Sequence, residues 1–244
     1  MKLSAVIITK NEEKNIAKCF EKLNFADEII VVDNESKDKT AQIAKKLGAK
    51  VFTVGGLDFS YLRNIGREKA KSEWILYVDA DEEVTKSLAL EIKKVIDKNE
   101  KFSAYTIPRK NYFFGKSWPG YEKMVRLIKR DSLLGWCGSL HESPIVIGKI
   151  GSLKSPILHF THNDLSLMIN KTNEWSEIEA NLRYKNNHPK ITWWRFFSVM
   201  FFAFWNSFVK NGGWKMGTTG LIESIYQSFS VFITYAKLWE KQNK

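Results

Sequence analysis

The first hundred residues alternate short apolar runs with amphipathic stretches. Leu3–Ile8, Glu28–Val32, Lys50–Val54 and Trp74–Asp79 are apolar enough throughout to predict strands buried on both faces. The segments between them carry apolar residues at helical spacing. Asn11 is expected to cap a helix with Glu12 and Glu13 in its first turn and Ile16, Cys19, Phe20 and Leu23 on one face. Asp38 or Thr40 opens a short helix that Gly48 closes, Ser60–Lys71 makes another, and Thr85 caps one with Leu88, Ile92, Val95 and Ile96 inward. This rhythm predicts an α/β fold with a parallel, doubly wound sheet.

The rhythm changes after residue 100. Ala104–Pro108, Met124–Lys129, Ile145–Ile147 and Ile157–Phe160 are short strand candidates, predicting a mixed sheet beside the parallel one. Asp164 opens an amphipathic helix to about Tyr184, with Leu165, Met168, Ile169, Trp175, Ile178 and Leu182 expected inward. Residues 191–209 form an apolar run rich in Trp and Phe that also carries Arg195, and Leu221–Leu238 is apolar but for Glu223, Gln227 and Lys237. Those interruptions, with Lys210, Lys215, Lys237 and Lys241, predict helices lying in the headgroup plane of an anionic membrane rather than spanning it. The expected organisation is a first domain over 1–187, in two halves (1–100 and 101–187), then a helical membrane-associating region over 188–244.

With 244 residues, 44 % of them hydrophobic, the chain can bury a full core, which excludes a disordered protein. A net charge of +11 directs attention to nucleic acid, anionic lipid or a phosphorylated substrate. Zinc-finger spacing, an RRM-type aromatic signature and a KH loop are all missing, so no nucleic-acid partner is expected. The C-terminal aromatics favour lipid; the other uses for those helices are simply covering the domain and pairing between subunits. Cys19 and Cys137 have no ligand spacing and predict inert thiols in a reducing compartment. Without a signal-peptide pattern before Leu3, the expected location is cytoplasmic, peripheral on the inner face of the cell membrane.

The chemistry concentrates where strands end. Trp74–Val78 runs into Asp79 and Asp81, hard oxygen ligands suited to Mg²⁺ or Mn²⁺ shared with substrate phosphates. Glu82 and Glu83 follow at once, and four acidic side chains at one edge need a cation to relieve them. Thr9, Lys10, Asn11 and Glu12 after the first strand, and Asp33–Ser36 after the second, converge on the same edge. Together the clusters offer a base reader, a ribose surface and a metal for a diphosphate. No G-x-G-x-x-G or P-loop occurs, so metal and side chains such as Arg63 must hold the diphosphate. In the second half Leu140-His141-Glu142-Ser143-Pro144 supplies the best base, Glu142, with His141 as an orienting or metal-side group and Trp136 to cover a sugar ring. His159 and His162 flank a strand end, His159 being a metal or phosphate contact. Arg109 and Arg126 are candidates for acceptor phosphates.

The strings Val6-Ile7-Ile8-Thr9-Lys10-Asn11-Glu12-Glu13 and Glu28 through Thr40, with Leu62-Arg63-Asn64-Ile65-Gly66 and Asp79-Ala80-Asp81, resemble the start of glycosyltransferase family 2. Pro108–Tyr112, Arg126-Leu127, His141-Glu142 and Tyr235–Trp239 resemble, less specifically, the lipopolysaccharide core β-1,4-glucosyltransferases of that family. The resemblance implies a GT-A-like fold, a Rossmann-like parallel and mixed sheet sandwiched by helices, and inverting, metal-dependent transfer from a nucleotide sugar, UDP-glucose, onto a lipid-linked inner-core heptose. By the same carry-over Asp33 reads uracil, Thr9, Asn11 and Glu12 line the nucleoside pocket, and Arg63 and Asp79 sit at the donor. Asp79, Asp81 and His159 face a Mg²⁺ or Mn²⁺ ion. Glu35 departs from the small residue usual two positions after Asp33, which leaves uracil against guanine open. Two other readings compete. A sugar-phosphate nucleotidyltransferase shares the metal logic, but it needs a glycine-rich loop where Lys10–Glu13 stands. A non-catalytic basic membrane-associated protein would use the charge alone.

Overall fold

A computed structural model describes residues 1–56, 58–98, 101–138, 142–161 and 164–244. They form two compact units, the first of residues 1–110 and 122–159, the second of residues 111–121 and 160–244. Residues 160–187, expected with the second half of the first domain, thus share a unit with the C-terminal helices.

In the first unit β1 (Leu3–Thr9), α1 (Ile16–Glu21), β2 (Glu28–Asp33), α2 (Thr40–Lys46), β3 (Lys50–Thr53), α3 (Phe59–Lys69), β4 (Trp74–Asp79), β5 (Glu82–Val84) and α4 (Lys86–Asp97) follow one another. Then come β6 (Ala104–Phe113), β7 (Lys116–Ser117, within the second unit), β8 (Glu122–Lys129), β9 (Leu133–Cys137), β10 (Ser143–Val146), β11 (Ile150–Ser152) and β12 (Ile157–Thr161). The main sheet runs β3-β2-β1-β4-β8-β6-β12-β5, while β9 and β10 make a separate pair. β1 is parallel to β2 and β4, β8 is antiparallel to β4 and β6, and β12 is antiparallel to β5. The expected change from parallel to mixed pairing therefore falls at the β4–β8 junction.

All seven residues of β1 are buried, because helices cover the sheet on both faces. One cluster gathers Ile7, Val31, Leu76 and Val78 with Ile16, Leu88 and Ile92 of α1 and α4, and the other gathers Val6, Ile8, Ile75 and Tyr77 with Leu62 of α3. Gly66 lets α3 approach β1 closely, since a Cβ there would lie 2.4 Å from Val6 Cγ1. Thr85 and Asp164 cap their helices as expected, accepting from the amides of Leu88 and Leu167. Asn11 caps nothing: α1 starts at Ile16, and Asn11 has φ of 56° with its side-chain oxygen accepting the Lys37 amide.

The second unit is helical: α5 (Leu165–Lys185), α6 (Trp193–Trp205), a π turn over Asn206–Lys210, and α7 (Thr218–Asn243). Its polarity departs from expectation. Of the α5 residues expected inward only Met168 is fully buried, while Leu165, Ile169 and Trp175 are exposed; the interior is Thr172, Ser176 and Ala180. α7 likewise buries Gly220, Glu223, Ser224 and Ser228 and exposes Leu221, Ile222, Ile225 and Phe229. Ser224 bonds Ser207 Oγ at 2.9 Å, and the Thr172 hydroxyl pairs with that of Tyr226 at 2.6 Å. α6 has no fully buried residue, and Trp193, Trp194, Phe197, Phe201 and Phe202 are each more than half exposed. Ordinary apolar packing returns only at Ala180, Ile191, Tyr235 and Leu238. No helix among the described residues is long and apolar enough to cross a membrane.

Glu28 ties the start of the sheet. It accepts from Ser4 Oγ at 2.6 Å, from the Lys71 amide at 2.7 Å and from Lys50 Nζ at 2.6 Å. Burial pushes its carboxyl up, but those three donors outweigh it and leave the pKa below 4.5. A lowered carboxylate pKa stabilises the fold above the unfolded value and loses that contribution as pH falls through the folded one. Glu28→Gln should therefore lower the urea midpoint at neutral pH, by roughly 1–3 kcal/mol, with the gap to wild type closing below pH 4.5. Gly66→Ala, which in an open helix would gain about 1 kcal/mol, should instead cost about 1–3 kcal/mol by overpacking Val6; the same urea titration reads the sign.

Candidate active site

The strand ends meet at the carboxyl edge of the parallel strands. Thr9 and Asp33 are register partners on β1 and β2, and Ile8 is opposite Asp79 on β4. Asp33 is 1 % exposed; Oδ2 accepts the Ser36 amide at 3.1 Å, and Oδ1 has no hydrogen-bond partner among the described residues. The neighbouring Thr9 hydroxyl is also buried and unpartnered. Two orphaned polar atoms side by side at a sheet edge mark a place where a ligand completes the bonding. Asn11 and Glu12 lie on the loop that follows. Asn11 is exposed, whereas the Glu12 amide donates to Thr40 Oγ1 at 2.8 Å and its carboxylate accepts from Asn15 Nδ2 at 2.6 Å.

Asp79 is occupied differently from expectation. Oδ1 faces Arg63 Nη2 at 3.0 Å, and Oδ2 faces Arg126 Nη2 at 2.7 Å. Burial pushes this carboxyl up, yet Arg126 and Arg63 overcome that and hold it well below the usual carboxylate range. With both oxygens on guanidinium groups, Asp79 organises arginines instead of presenting a free edge to a metal. Glu82, fully buried, accepts the Asp79 amide at 2.9 Å and has Arg109 and Arg126 at 3.5 and 3.6 Å. Its pKa is raised, first by burial and, among the charges, by Asp79, with Arg126 opposing. Glu83 pairs with Lys18 at 2.6 Å. The protein's own cations thus relieve much of the acidic edge for which a metal was expected.

Asp81 remains on the donor side. Its Oδ2 lies 3.2 Å from His159 Nε2, brought there by the β5–β12 pairing of His159 with Glu82. Burial lowers the His159 pKa, but the bond and charge of Asp81 outweigh it and leave it raised. A carboxylate and an imidazole suit Mn²⁺ or Mg²⁺. Among the described residues no group of three or more His, Cys, Asp or Glu side chains is placed to hold a metal. Two protein ligands fit an ion whose remaining positions belong to substrate phosphates and water.

On the other side of Arg63 stands Glu142, Oε1 at 2.8 Å from Nε and 2.7 Å from Nη2. One guanidinium therefore joins Asp79 to the expected base, and Glu142 keeps 14 % of its side chain exposed. His141 and His162 lie outside the described residues. Trp136, expected over a sugar, is buried with its ring 4.8 Å from the Arg63 guanidinium. Arg126, expected at an acceptor phosphate, is 2 % exposed and spent on Asp79 and Glu82, and Arg109 pairs with Glu82 and Glu122. Sequence reasoning missed the central position of Arg126; the apolar neighbours Val125, Leu127 and Ile128 were the signal that β8 is buried.

Parallel strands that continue into a mixed sheet, with helices on both faces, are the architecture of a GT-A glycosyltransferase. The chain belongs to glycosyl transferase family 2, whose sequence model matches residues 4–158. Among its relatives are an uncharacterized glycosyltransferase of Rickettsia typhi, 31 % identical over 98 % of this chain and 87 % of its own, and the lipopolysaccharide core biosynthesis glycosyltransferase LpsC of Rhizobium meliloti, 24 % identical over 98 % and 92 %. The fold resembles S. aureus TarS 1–349 crystallised with UDP-GlcNAc, at a TM-score of 0.53 and 15 % identity over 100 % of this chain and 92 % of that one.

Arg126→Met should leave Asp79 and Glu82 facing each other without their shared cation. The expected cost is about 3–5 kcal/mol in urea unfolding, the range for removing one partner from a buried ion pair.

Proposed function

We propose that this glycosyltransferase moves a hexose, glucose from UDP-glucose, onto a lipid-linked glycan, an inner-core heptose of lipopolysaccharide, with inversion at the anomeric carbon. The orphaned Asp33 carboxylate oxygen beside the unpartnered Thr9 hydroxyl carries the reading. A buried acceptor at this edge calls for an N–H donor, which the imide of uracil supplies. The core-biosynthesis role named for LpsC supports the acceptor class.

Asp81 and His159 hold the divalent cation, which when bound stabilises the departing diphosphate as a Lewis acid. Glu142 takes the proton of the acceptor hydroxyl as its oxygen bonds to the anomeric carbon and the bond to the diphosphate breaks. Arg63 fixes the Glu142 carboxylate at 2.7 Å and ties it to the donor edge through Asp79. Asp79 keeps both guanidinium groups oriented.

The second unit serves the acceptor's surroundings. A helix layer with serine and threonine inside and tryptophan and phenylalanine outside is built for an apolar exterior. Lys210 and Lys215 beside the exposed Trp214 supply contacts to anionic headgroups, each worth on the order of 1 kcal/mol. We therefore place the enzyme peripherally on the inner face of the cell membrane.

Thermal shifts with UDP, GDP and CMP sugars, with and without Mn²⁺, test the donor. Stabilisation by UDP sugars alone, dependent on Mn²⁺ and lost in Asp33→Ala, is expected; a preference for GDP or CMP would overturn the uracil assignment. Asp81→Ala should cut turnover by roughly 100-fold or more, equivalent to several kcal/mol of lost charge stabilisation. Pyrophosphate release from UTP and a sugar phosphate would point to a nucleotidyltransferase instead. For the membrane, the full chain should sediment with phosphatidylglycerol vesicles and not with phosphatidylcholine ones. The double variant Trp194→Glu/Phe197→Glu should weaken this at least tenfold, whereas a lipid-indifferent dimer would assign the aromatic face to a second copy.

A further inference from the structure

Among the described residues, strand β9 has a strand neighbour on one edge only. β10 pairs with it antiparallel, placing Pro144 opposite Trp136. The Trp136 amide and carbonyl both point away from β10, so this is a non-hydrogen-bonded pair of the ladder. Along the other edge lies α3, and there side chains of one helical turn take the place of a strand. Asn64 donates from Nδ2 to the Trp136 carbonyl at 3.0 Å and accepts the Trp136 amide on Oδ1 at 2.8 Å. Arg67 Nε donates to the Leu133 carbonyl at 2.6 Å. A primary amide that donates to and accepts from one residue reproduces a ladder pair of an antiparallel sheet. The approach is close: a Cβ on Gly135 would sit 3.2 Å from Asn64 Oδ1.

This contact adjoins the reacting groups. Asn64 follows Arg63 in the chain, and the residue it grips is the one whose indole lies 4.8 Å from the Arg63 guanidinium and edge-on to Tyr77 at 4.9 Å. The strand it holds leads to β10 and to Glu142, the second partner of Arg63. Both polar atoms of the Asn64 amide bond the backbone of β9.

We propose that Asn64 is a positioning residue: its side-chain amide clamps β9 to α3 and thereby holds Glu142 in register with Arg63 and the donor edge. The proposal rests on the transferase reading, with Glu142 as base. It assigns the clamp to the chemical step and not to donor binding, because Thr9, Asp33 and Asp81 lie on other elements.

The test compares full-length wild type, Asn64→Ala, Asn64→Gln and Gly135→Ala. For Asn64→Ala we expect kcat per folded molecule to fall between ten- and a hundredfold while the affinity for UDP with Mn²⁺ stays within twofold. Amide exchange of Trp136 and its β9 neighbours should quicken at least tenfold, with β1 and β4 unchanged. Asn64→Gln keeps the amide on a longer stem and should recover part of the lost kcat. Gly135→Ala crowds Oδ1 without removing it and should reproduce the pattern more mildly, which serves if Asn64→Ala does not accumulate. A kcat within twofold of wild type, unchanged β9 exchange, or exchange quickened equally throughout the sheet would each overturn the proposal. The exchange measurement needs no substrate. A wild type inert toward every nucleotide sugar would therefore sink the transferase reading, while the exchange data still judged the clamp.

Discussion

The structure depends on how charge is neutralised at the end of β4. Asp79, Asp81, Glu82 and Glu83 crowd one sheet edge, and each meets a cation drawn from a different element. Arg63 comes from α3, Arg126 from β8, Arg109 from β6, Lys18 from α1 and His159 from β12. Ion pairs this deep do little for net stability, because desolvation consumes the Coulombic gain. Their effect is on specificity: an alternative packing that separated any pair would strand a buried charge. The β4–β8 junction, where parallel pairing gives way to antiparallel, is thus held by electrostatics as well as by the ladder.

The same network links two halves of the chemistry. Arg63 lies between a carboxylate on the donor strand and one on the hairpin side, and it is 2 % exposed, so it has little freedom to leave either. Trp136 packs against it and Asn64 holds Trp136. Asp79 and Glu142 are in this way joined through three neighbouring residues of one helix and one strand, rather than through loops alone.

Much of this was legible in the residues. Continuous apolar runs marked β1, β2 and β4 because strands buried on both faces need no alternation, and Thr85 and Asp164 capped helices because their oxygens meet orphan amides. The donor edge followed from three strand ends. Other features were hidden for physical reasons. Glu82-Glu83-Val84 has no strand propensity and becomes β5 only through its pairing with β12. Asp79 looked like a metal ligand because nothing in its neighbourhood announced arginines contributed from α3 and β8. The inward face of α5 was misplaced because apolar spacing gave no sign that the polar or small residues Thr172, Ser176 and Ala180 pack inside. Asn11 and Glu12 looked like a helix start, but the backbone of Asn11 turns left-handed and delays α1.

The pairing of β5 with β12 has a consequence for biosynthesis. His159 reaches Asp81 only when Ile157–His159 docks on Glu82–Val84, a contact between segments far apart in the chain. Until the ribosome has released about two-thirds of the polypeptide, the nascent sheet displays its acidic edge without that histidine. An emerging fragment can therefore bring the ends of β1, β2 and β4 together well before His159 can reach Asp81.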